Sequence, residues 1–397
     1  MCGIGKFRMA SSKIVRRNSL MKKLGVLFLV LVMMASVFAG CAEPAETSTA
    51  PETSTAPETS AAAPETEEAV FVGVTMPTKS LQRWNEDGTN VKAALEAEGY
   101  QVDLQYADNK QDVQNGQIEN QITMGCKLLV IASIDGGALG GVLAQAKEAD
   151  IPVIAYDRLI TNTDKCDYYA TFDNYGVGAM QGQFIIDALD LANTTETYTM
   201  ECFGGSPDDN NAYLFNQGAM DLLLPYIESG KLVVKSGEYE YPGSIAIQAW
   251  DPGTAQARME NLLTAYYADE NIDVVLSPND SIAQGVVAAL KQSGYGTEDR
   301  HYPILTGQDC DKINVGQIIR GEQSMSIFKD TRVLAQQVIT MAKAILAGET
   351  VETNATYDNG VMEVPSFNCK IVFADASNWE EVLIDTEYYT MEDIPQE

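Results

Sequence analysis

The chain holds a single histidine, His301, in a Glu-Asp-Arg-His-Tyr-Pro run that reads as a loop. A catalytic triad or an imidazole acid–base pair therefore has almost no material. Bases are scarce too, 26 against 56 acids, for a formal net charge of −30. That balance excludes nucleic acid as a partner, because phosphate binding needs Lys and Arg, and it excludes an electrostatic membrane-surface site. No Gly-x-x-x-x-Gly-Lys phosphate loop occurs, and Gly176-Val-Gly178-Ala-Met-Gln-Gly182 is one residue too long in its last spacing for a dinucleotide fingerprint. The seven cysteines are Cys2, Cys41, Cys126, Cys166, Cys202, Cys310 and Cys369, with no Cys-x-x-Cys and no metal spacing among them. Cys126 and Cys202 stand in apolar surroundings and read as small core residues, while a disulfide between some pair stays open. After residue 40 no run is apolar for the ~18 residues that a membrane span needs.

The N-terminus sets the compartment. Residues 1–40 hold Lys6, Arg8, Lys13, Arg16, Arg17, Lys22 and Lys23 and no acid, then an apolar run over 24–38, then Ala39-Gly40-Cys41. This is a secretory signal rather than a fold element. Ala-Gly-Cys resembles the lipobox of bacterial lipoproteins, with Phe38 where Leu usually stands, and the resemblance implies a lipid on Cys41. Met21-Lys22-Lys23-Leu24 resembles a signal start, which makes Met21 an alternative first residue. Residues 41–68 repeat Ala-Pro-Glu-Thr-Ser without an aromatic or branched aliphatic side chain. They cannot bury a core and are expected to form a disordered acidic tether. Lipid on Cys41 is then the only membrane contact expected.

From residue 70 the pattern alternates strand and helix. Strands are expected over 70–75, 101–106, 128–132 and 152–156, with helices over 91–98, 113–124 and 138–149 between them. Residues 76–84 read as a loop carrying Lys79, Arg83 and Trp84. This alternation implies a parallel, doubly wound α/β sheet. In such sheets ligands sit beyond the carboxyl ends of the strands. The run over 151–158, Ile-Pro-Val-Ile-Ala-Tyr-Asp-Arg, ends there in an acid and a base, Asp157 and Arg158. Lys79 and Arg83 follow the first strand and Asp135 the third, so these groups converge on one edge. The second half repeats the scheme, with strands expected over 168–172, 197–203, 232–235, 272–277, 303–306 and 325–328. These strands also end in polar groups: Asp209 and Asn211, then Asn279, then Gln308 and Asp309, then Lys329. Asp209 and Asn211 precede a helix, so either one can cap it while the other binds a ligand. Two sheets with polar rims imply two lobes across a cleft. Trp84 and Trp250, one for each lobe, stand beside these rims, where an aromatic face can stack on a sugar ring.

Together these residues resemble the periplasmic monosaccharide-binding proteins of the ribose, galactose and xylose type, closest to the xylose- and multiple-sugar-binding branch. The resemblance runs over about residues 70–390. It is carried by Met-Pro-Thr-Lys79-Ser-x-x-Arg83-Trp84, Ala-Ser-Ile-Asp135-Gly, Tyr-Asp157-Arg158-Leu-Ile, Tyr-Ala-Thr-Phe-Asp-Asn174, Gly-Ser-Pro-Asp-Asp209-Asn-Asn211-Ala, Gly-Gln308-Asp309 and Phe-Lys329-Asp-Thr. It implies a type I periplasmic binding protein fold: two doubly wound, Rossmann-like lobes joined by a three-strand hinge. One lobe is expected over 69–176 plus 330–356 and the other over 177–329 plus 357–397, with crossings near Gly176, Lys329 and Tyr357. It implies that Arg83, Asp157 and Arg158 bind sugar hydroxyls from the first lobe. Asp209, Asn211, Asn279, Asp309 and Lys329 bind them from the second lobe or the hinge, with Trp84 and Trp250 as walls. Lys79, Asp135 and Gln308 are weaker members of the set. A loop insertion is expected at residues 295–301. No calcium loop of alternating acids occurs, so no metal and no cofactor are expected. The implied role is a non-enzymatic, exported, monomeric lipoprotein that delivers a sugar of the xylose, glucose, galactose or arabinose class to an ABC importer permease. A sugar-sensing component for a signalling partner is the alternative.

Overall fold

The structure, a computed structural model, describes residues 69–395. The signal, the lipidation residue Cys41 and the acidic tether lie outside the described residues. The first half runs β1 Phe71–Met76, α1 Gln82–Ala97, β2 Gln101–Tyr106, α2 Gln111–Thr123, β3 Leu128–Ile131, α3 Gly140–Glu148, β4 Val153–Tyr156 and β5 Tyr168–Phe172. It continues with α4 Asn174–Ala188, β6 Tyr198–Cys202, α5 Asn210–Glu228, β7 Leu232–Val234, α6 Pro252–Tyr266, β8 Val274–Leu276, α7 Asp280–Gln292 and β9 Ile304–Leu305. Then follow α8 Lys312–Ile319, β10 Met325–Phe328, α9 Thr331–Ala347, β11 Ala355–Asp358, β12 Glu363–Cys369 and β13 Val372–Asp375.

Two sheets result. The first has the order β11-β12-β5-β4-β3-β1-β2, parallel except for the β11–β12 hairpin. The second has the order β7-β6-β8-β9, all parallel. β10 and β13 form an antiparallel pair beside it, and β10 bonds the loop after β9 through Ile327 N to the Gly307 carbonyl (3.0 Å). β3 and β4, Leu-Leu-Val-Ile and Val-Ile-Ala-Tyr, are buried at every position, as strands covered on both faces must be. One face of the first sheet packs Val74, Val130 and Ile154 on Val91 of α1 and Leu334 of α9. Its other face packs Leu129 and Ile131 on Ile118 of α2 and Leu143 of α3. The second sheet is covered in the same way, by α6 and α7 on one side and α4 and α5 on the other. The doubly wound architecture expected from the alternation is thus present in both lobes.

Three features differ from the sequence reading. α1 begins at Gln82 rather than near residue 91, so Arg83 and Trp84 lie in its first turn and not in a loop. Its inward face is partly polar, with Arg83, Asp87 and Gly88 beside Val91 and Leu95, so no apolar stripe announces its first turns. The third crossing lies between Cys369 and Val372, not near Tyr357. β12 pairs in parallel with β5, Ser366 opposite Tyr169, which keeps residues 355–369 in the first sheet. Finally, α8 and the strands after α9 carried no expectation. The five cysteines among the described residues are buried free thiols, which leaves no disulfide among them.

α4 and α5 lie unusually close. A Cβ at Gly178 would overlap the Phe215 carbonyl oxygen, and one at Gly218 would overlap that of Tyr175. Both glycines therefore set how near α5 comes, and with it the cleft residues Asn211 and Phe215. Gly178→Ala is expected to lower stability by about 1–3 kcal/mol, the usual range for forced overpacking, as measured by urea denaturation.

Candidate functional site

The strand ends and helix starts of both lobes meet in one cavity. Its wall is formed by Arg83, Trp84, Asp157, Arg158, Asp209, Asn211, Trp250, Asn279, Gln308, Asp309 and Lys329, with Leu81, Phe215 and Ser281 completing it. The free space left among these residues is about 30 Å³, well below the ~300–1,000 Å³ common for small-molecule sites, so the lobes must part for a ligand to enter. Eleven of the thirteen sequence-derived candidates thus share one cavity. Lys79 and Asp135 do not line it. Lys79 is exposed, its ammonium 4.8 Å from the Tyr106 ring centre. Asp135 caps a short turn by accepting from Gly137 N (2.8 Å). A strand end fixes the sheet edge but not the direction of each loop, so these two diverge from the rest.

Arg83 is the electrostatic hub. Its Nε donates to Asp87 (2.8 Å), Nη2 to Asp157 (2.5 Å) and Nη1 to Asp309 (3.0 Å). Lys329, only 2% exposed, reaches Asp309 Oδ1 (3.3 Å) and Asp157 Oδ1 (3.6 Å). Burial alone would raise Asp157, but Arg83 and then Lys329 overcome it and hold the carboxyl down at about 2. Asp87 sits deeper and also accepts a short hydrogen bond from Tyr156 OH. There burial outweighs Arg83 and raises the carboxyl to about 6. Sequence reading missed Asp87. Its only signal was the spacing of four residues from Arg83 on a helix, which places both on one face.

Arg158 turns away from Asp157. Its Nη1 donates to the Ser133 carbonyl (3.1 Å), and its Nε lies 2.9 Å from Asp209 Oδ2 without a well-aligned hydrogen bond. Its guanidinium packs 5.0 Å from the Trp84 ring centre, and that of Arg83 lies at 5.5 Å. Trp84 is therefore a wall pinned by two cations. Trp250 meets Phe215 edge-on at 6.2 Å. Gly205 lets the Trp250 ring lie against the backbone, because a Cβ there would overlap its six-membered ring.

Capping and site duties coincide. Asp209 Oδ1 caps α5 through Asn211 N (3.0 Å) while Oδ2 faces Arg158. Asn279 caps α7 through Ile282 N (3.1 Å) and still lines the cavity. Asn211 spans the lobes: its Nδ2 donates to the Asp157 carbonyl (2.7 Å), and its Oδ1 accepts from Tyr169 OH and Asn174 Nδ2 (both 3.0 Å). Two wall residues retain a buried polar atom without a partner, Trp250 Nε1 and Gln308 Oε1, while Arg158 Nε is met by the Asp209 charge without an aligned hydrogen bond. One is a donor and one is an acceptor. An unmet buried polar group costs about 1–3 kcal/mol, so this set calls for a ligand that both donates and accepts.

The family described as periplasmic binding protein domain matches residues 72–350. The multiple sugar-binding periplasmic receptor ChvE of Rhizobium radiobacter is 51% identical over 320 residues, spanning 80% of this chain and 90% of that protein. The D-xylose-binding periplasmic protein of Haemophilus influenzae is 34% identical over 323 residues, spanning 81% and 91%. A solved ABC transporter solute-binding protein from Clostridium phytofermentans, with bound β-D-glucose, is 53% identical with a TM-score of 0.79, covering 82% of this chain and all of that one.

One buried acid supports the site from behind. Asp280 accepts from Asp311 N, Gln323 Nε2 and Ser326 Oγ, each at 2.9 Å. These bonds hold a loop in which Asp309 and Cys310 take positive φ, 98° and 51°. Burial, reinforced by the charge of Asp309, pushes Asp280 up to about 8 despite its donors. The folded state thus binds this proton more tightly than the unfolded chain does. Its contribution to stability is complete below the ordinary aspartate value of about 4 and is lost as pH rises through about 8. Asp280→Asn is expected to flatten the fall of stability across that window, read from denaturation midpoints at several pH values.

Proposed function

The chain belongs to the periplasmic binding protein domain family, and on that premise we propose that it captures a monosaccharide of the xylose, glucose, galactose or arabinose class between its lobes and delivers it to an ABC-type sugar importer. The carrying observation is the wall itself: an unpartnered donor on Trp250 and an unpartnered acceptor on Gln308, in a charged wall that also holds Trp84. A sugar hydroxyl donates and accepts at once, so a ring of hydroxyls answers both kinds of group. The ring's C–H faces suit Trp84 and Trp250. The glucose-bound neighbour and the xylose- and multiple-sugar-binding relatives support the reading.

In the proposed cycle the lobes close as bodies about the crossings near residues 173, 329 and 370, and the sugar leaves unchanged. Arg83, Asp157, Asp309 and Lys329 bind hydroxyls by charge-assisted hydrogen bonds. Arg158, Asp209, Asn279 and Gln308 complete the set, and Asn211 chiefly fixes the Asp157 carbonyl. Export and tethering by a lipid on Cys41 belong to the same proposal, with permease subunits as the protein partner and a monomer as the working unit.

Titration calorimetry with D-xylose, D-glucose, D-galactose and L-arabinose is expected to show tight binding of at least one. No heat with any of the four overturns the reading. With the sugar that binds, Arg83→Ala and Asp157→Ala are each expected to weaken binding by about 2–5 kcal/mol, since each strands a buried charge. Cys41→Ser is expected to move the protein from the membrane fraction to the soluble fraction, as followed by immunoblot.

A further inference from the structure

Residues 379–395, which end the described chain, touch both lobes. They are anchored on the second. Leu383, Tyr389 and Ile394 pack with Val315 of α8, Phe328 of β10 and Ala374 of β13. Asp393 pairs with Lys312 (2.6 Å), and the Pro395 carbonyl accepts from Arg320 (3.1 Å). From this anchor two adjacent phenols reach the first lobe. Tyr388 OH bonds Glu86 Oε2 and Thr331 Oγ1 (both 3.0 Å). Tyr389 OH accepts from Gln82 Nε2 (2.9 Å) and lies 3.3 Å from Glu86 Oε1. Arg332, at the start of α9, adds bonds to the Thr386 and Glu387 carbonyls (3.1 and 2.9 Å).

Gln82 and Glu86 belong to the same helical turn as Arg83 and Asp87, but they face the other way and neither lines the sugar cavity. One turn of α1 is thus held from two sides: by Asp157 and Asp309 within the cleft, and by Tyr388 and Tyr389 outside it. We propose that residues 379–395 form an interlobe latch, in which Tyr388 and Tyr389 clasp Glu86 and thereby slow release of the bound sugar. The part concerning release rests on the sugar-binding reading; the latch itself does not. A latch of this kind acts only on the closed arrangement, because its two halves lie on different lobes. Its loss should therefore appear in the dissociation rate and leave association nearly unchanged. Burial and then the Glu86 charge push the Tyr388 phenol well up from its ordinary value, which keeps it a donor to Glu86 at neutral pH.

The test uses the mature protein, the double variant Tyr388→Phe/Tyr389→Phe, Glu86→Ala, and their combination. The probe is the sugar that binds in calorimetry, and dissociation is followed by stopped-flow tryptophan fluorescence. The double variant and Glu86→Ala are each expected to speed release about tenfold, in keeping with the loss of one or two hydrogen bonds. Because the phenols and Glu86 act as one unit, the triple variant should release no faster than the double. Release within twofold of wild type in either variant, or additive effects in the triple, overturns the latch. Melting curves identify a variant that fails to fold, and Tyr389→Phe alone then takes its place. If no sugar binds wild type, the functional reading fails while the latch is still tested. Small-angle scattering of the sugar-free proteins should give a larger radius of gyration for the double variant than for wild type, and equal radii overturn the latch.

Discussion

A single guanidinium ties the cleft together. Arg83 is shared among Asp87 on its own helix, Asp157 at the end of β4 and Asp309 on a loop of the other lobe. Removing a partner from such a buried cluster costs about 3–5 kcal/mol, because a charge is left without an answer in low dielectric. The three acids are far apart in sequence, and each is held by different neighbours. Their meeting at Arg83 therefore fixes the relative placement of α1, the first sheet and the loop after β9. Lys329 repeats the arrangement from the middle crossing, bridging Asp157 and Asp309. The hinge itself thus contributes a charge to the cleft.

The backbone is made to serve this geometry. Asp157, Trp250 and Asp309 all lie at positive φ, 58°, 57° and 98°, where side chains other than glycine are uncommon. Residues in such conformations persist only where surrounding bonds over-determine them. For Asp157 these are three donors on one carbonyl: Tyr169 OH, Thr171 Oγ1 and Asn211 Nδ2 (2.7, 3.0 and 2.7 Å). For Asp309 the support is the Asp280 carboxyl group behind the loop, together with Ser326 Oγ, which takes Cys310 N at 3.0 Å. For Trp250 it is Ser206 Oγ accepting from the preceding Ala249 N (2.8 Å). In each case a polar group outside the cavity wall turns a wall residue inward.

Strand-length apolar runs such as Val-Ile-Ala-Tyr announce both sheets, because a strand buried on two faces leaves no polar position to disguise it. The position of the cleft follows, since parallel strands end on one edge, and with it most of the wall. What stayed illegible was whatever depended on contacts distant in sequence. The first turn of α1 hides behind a polar inward face, and its Asp87 is recognisable only once Arg83 and Tyr156 are placed beside it. β12 reads as an ordinary polar stretch, and only its pairing with β5 keeps residues 355–369 in the first lobe. Lys79 and Asp135 follow strand ends as faithfully as Asp157 does. The rule that finds the edge does not say which loops fold over it.

Closure sets a further condition. A ligand shifts a two-state equilibrium only by its differential affinity for the two states. The contacts Arg83–Asp309, Lys329–Asp157 and Asn211–Asp157 already cross between the lobes through protein atoms alone, so they favour closure whether or not a sugar is present. Discrimination has to come from groups that these contacts leave unmet. Trp250 Nε1 and Gln308 Oε1 are such groups. They are buried in the closed arrangement, where an unanswered donor or acceptor is most unfavourable. A molecule of the right outline that lacks the matching hydroxyls would fill the cavity and leave those penalties in place. Specificity on this view resides less in the strong ion pairs, which the protein largely satisfies by itself, than in the few polar atoms it leaves open.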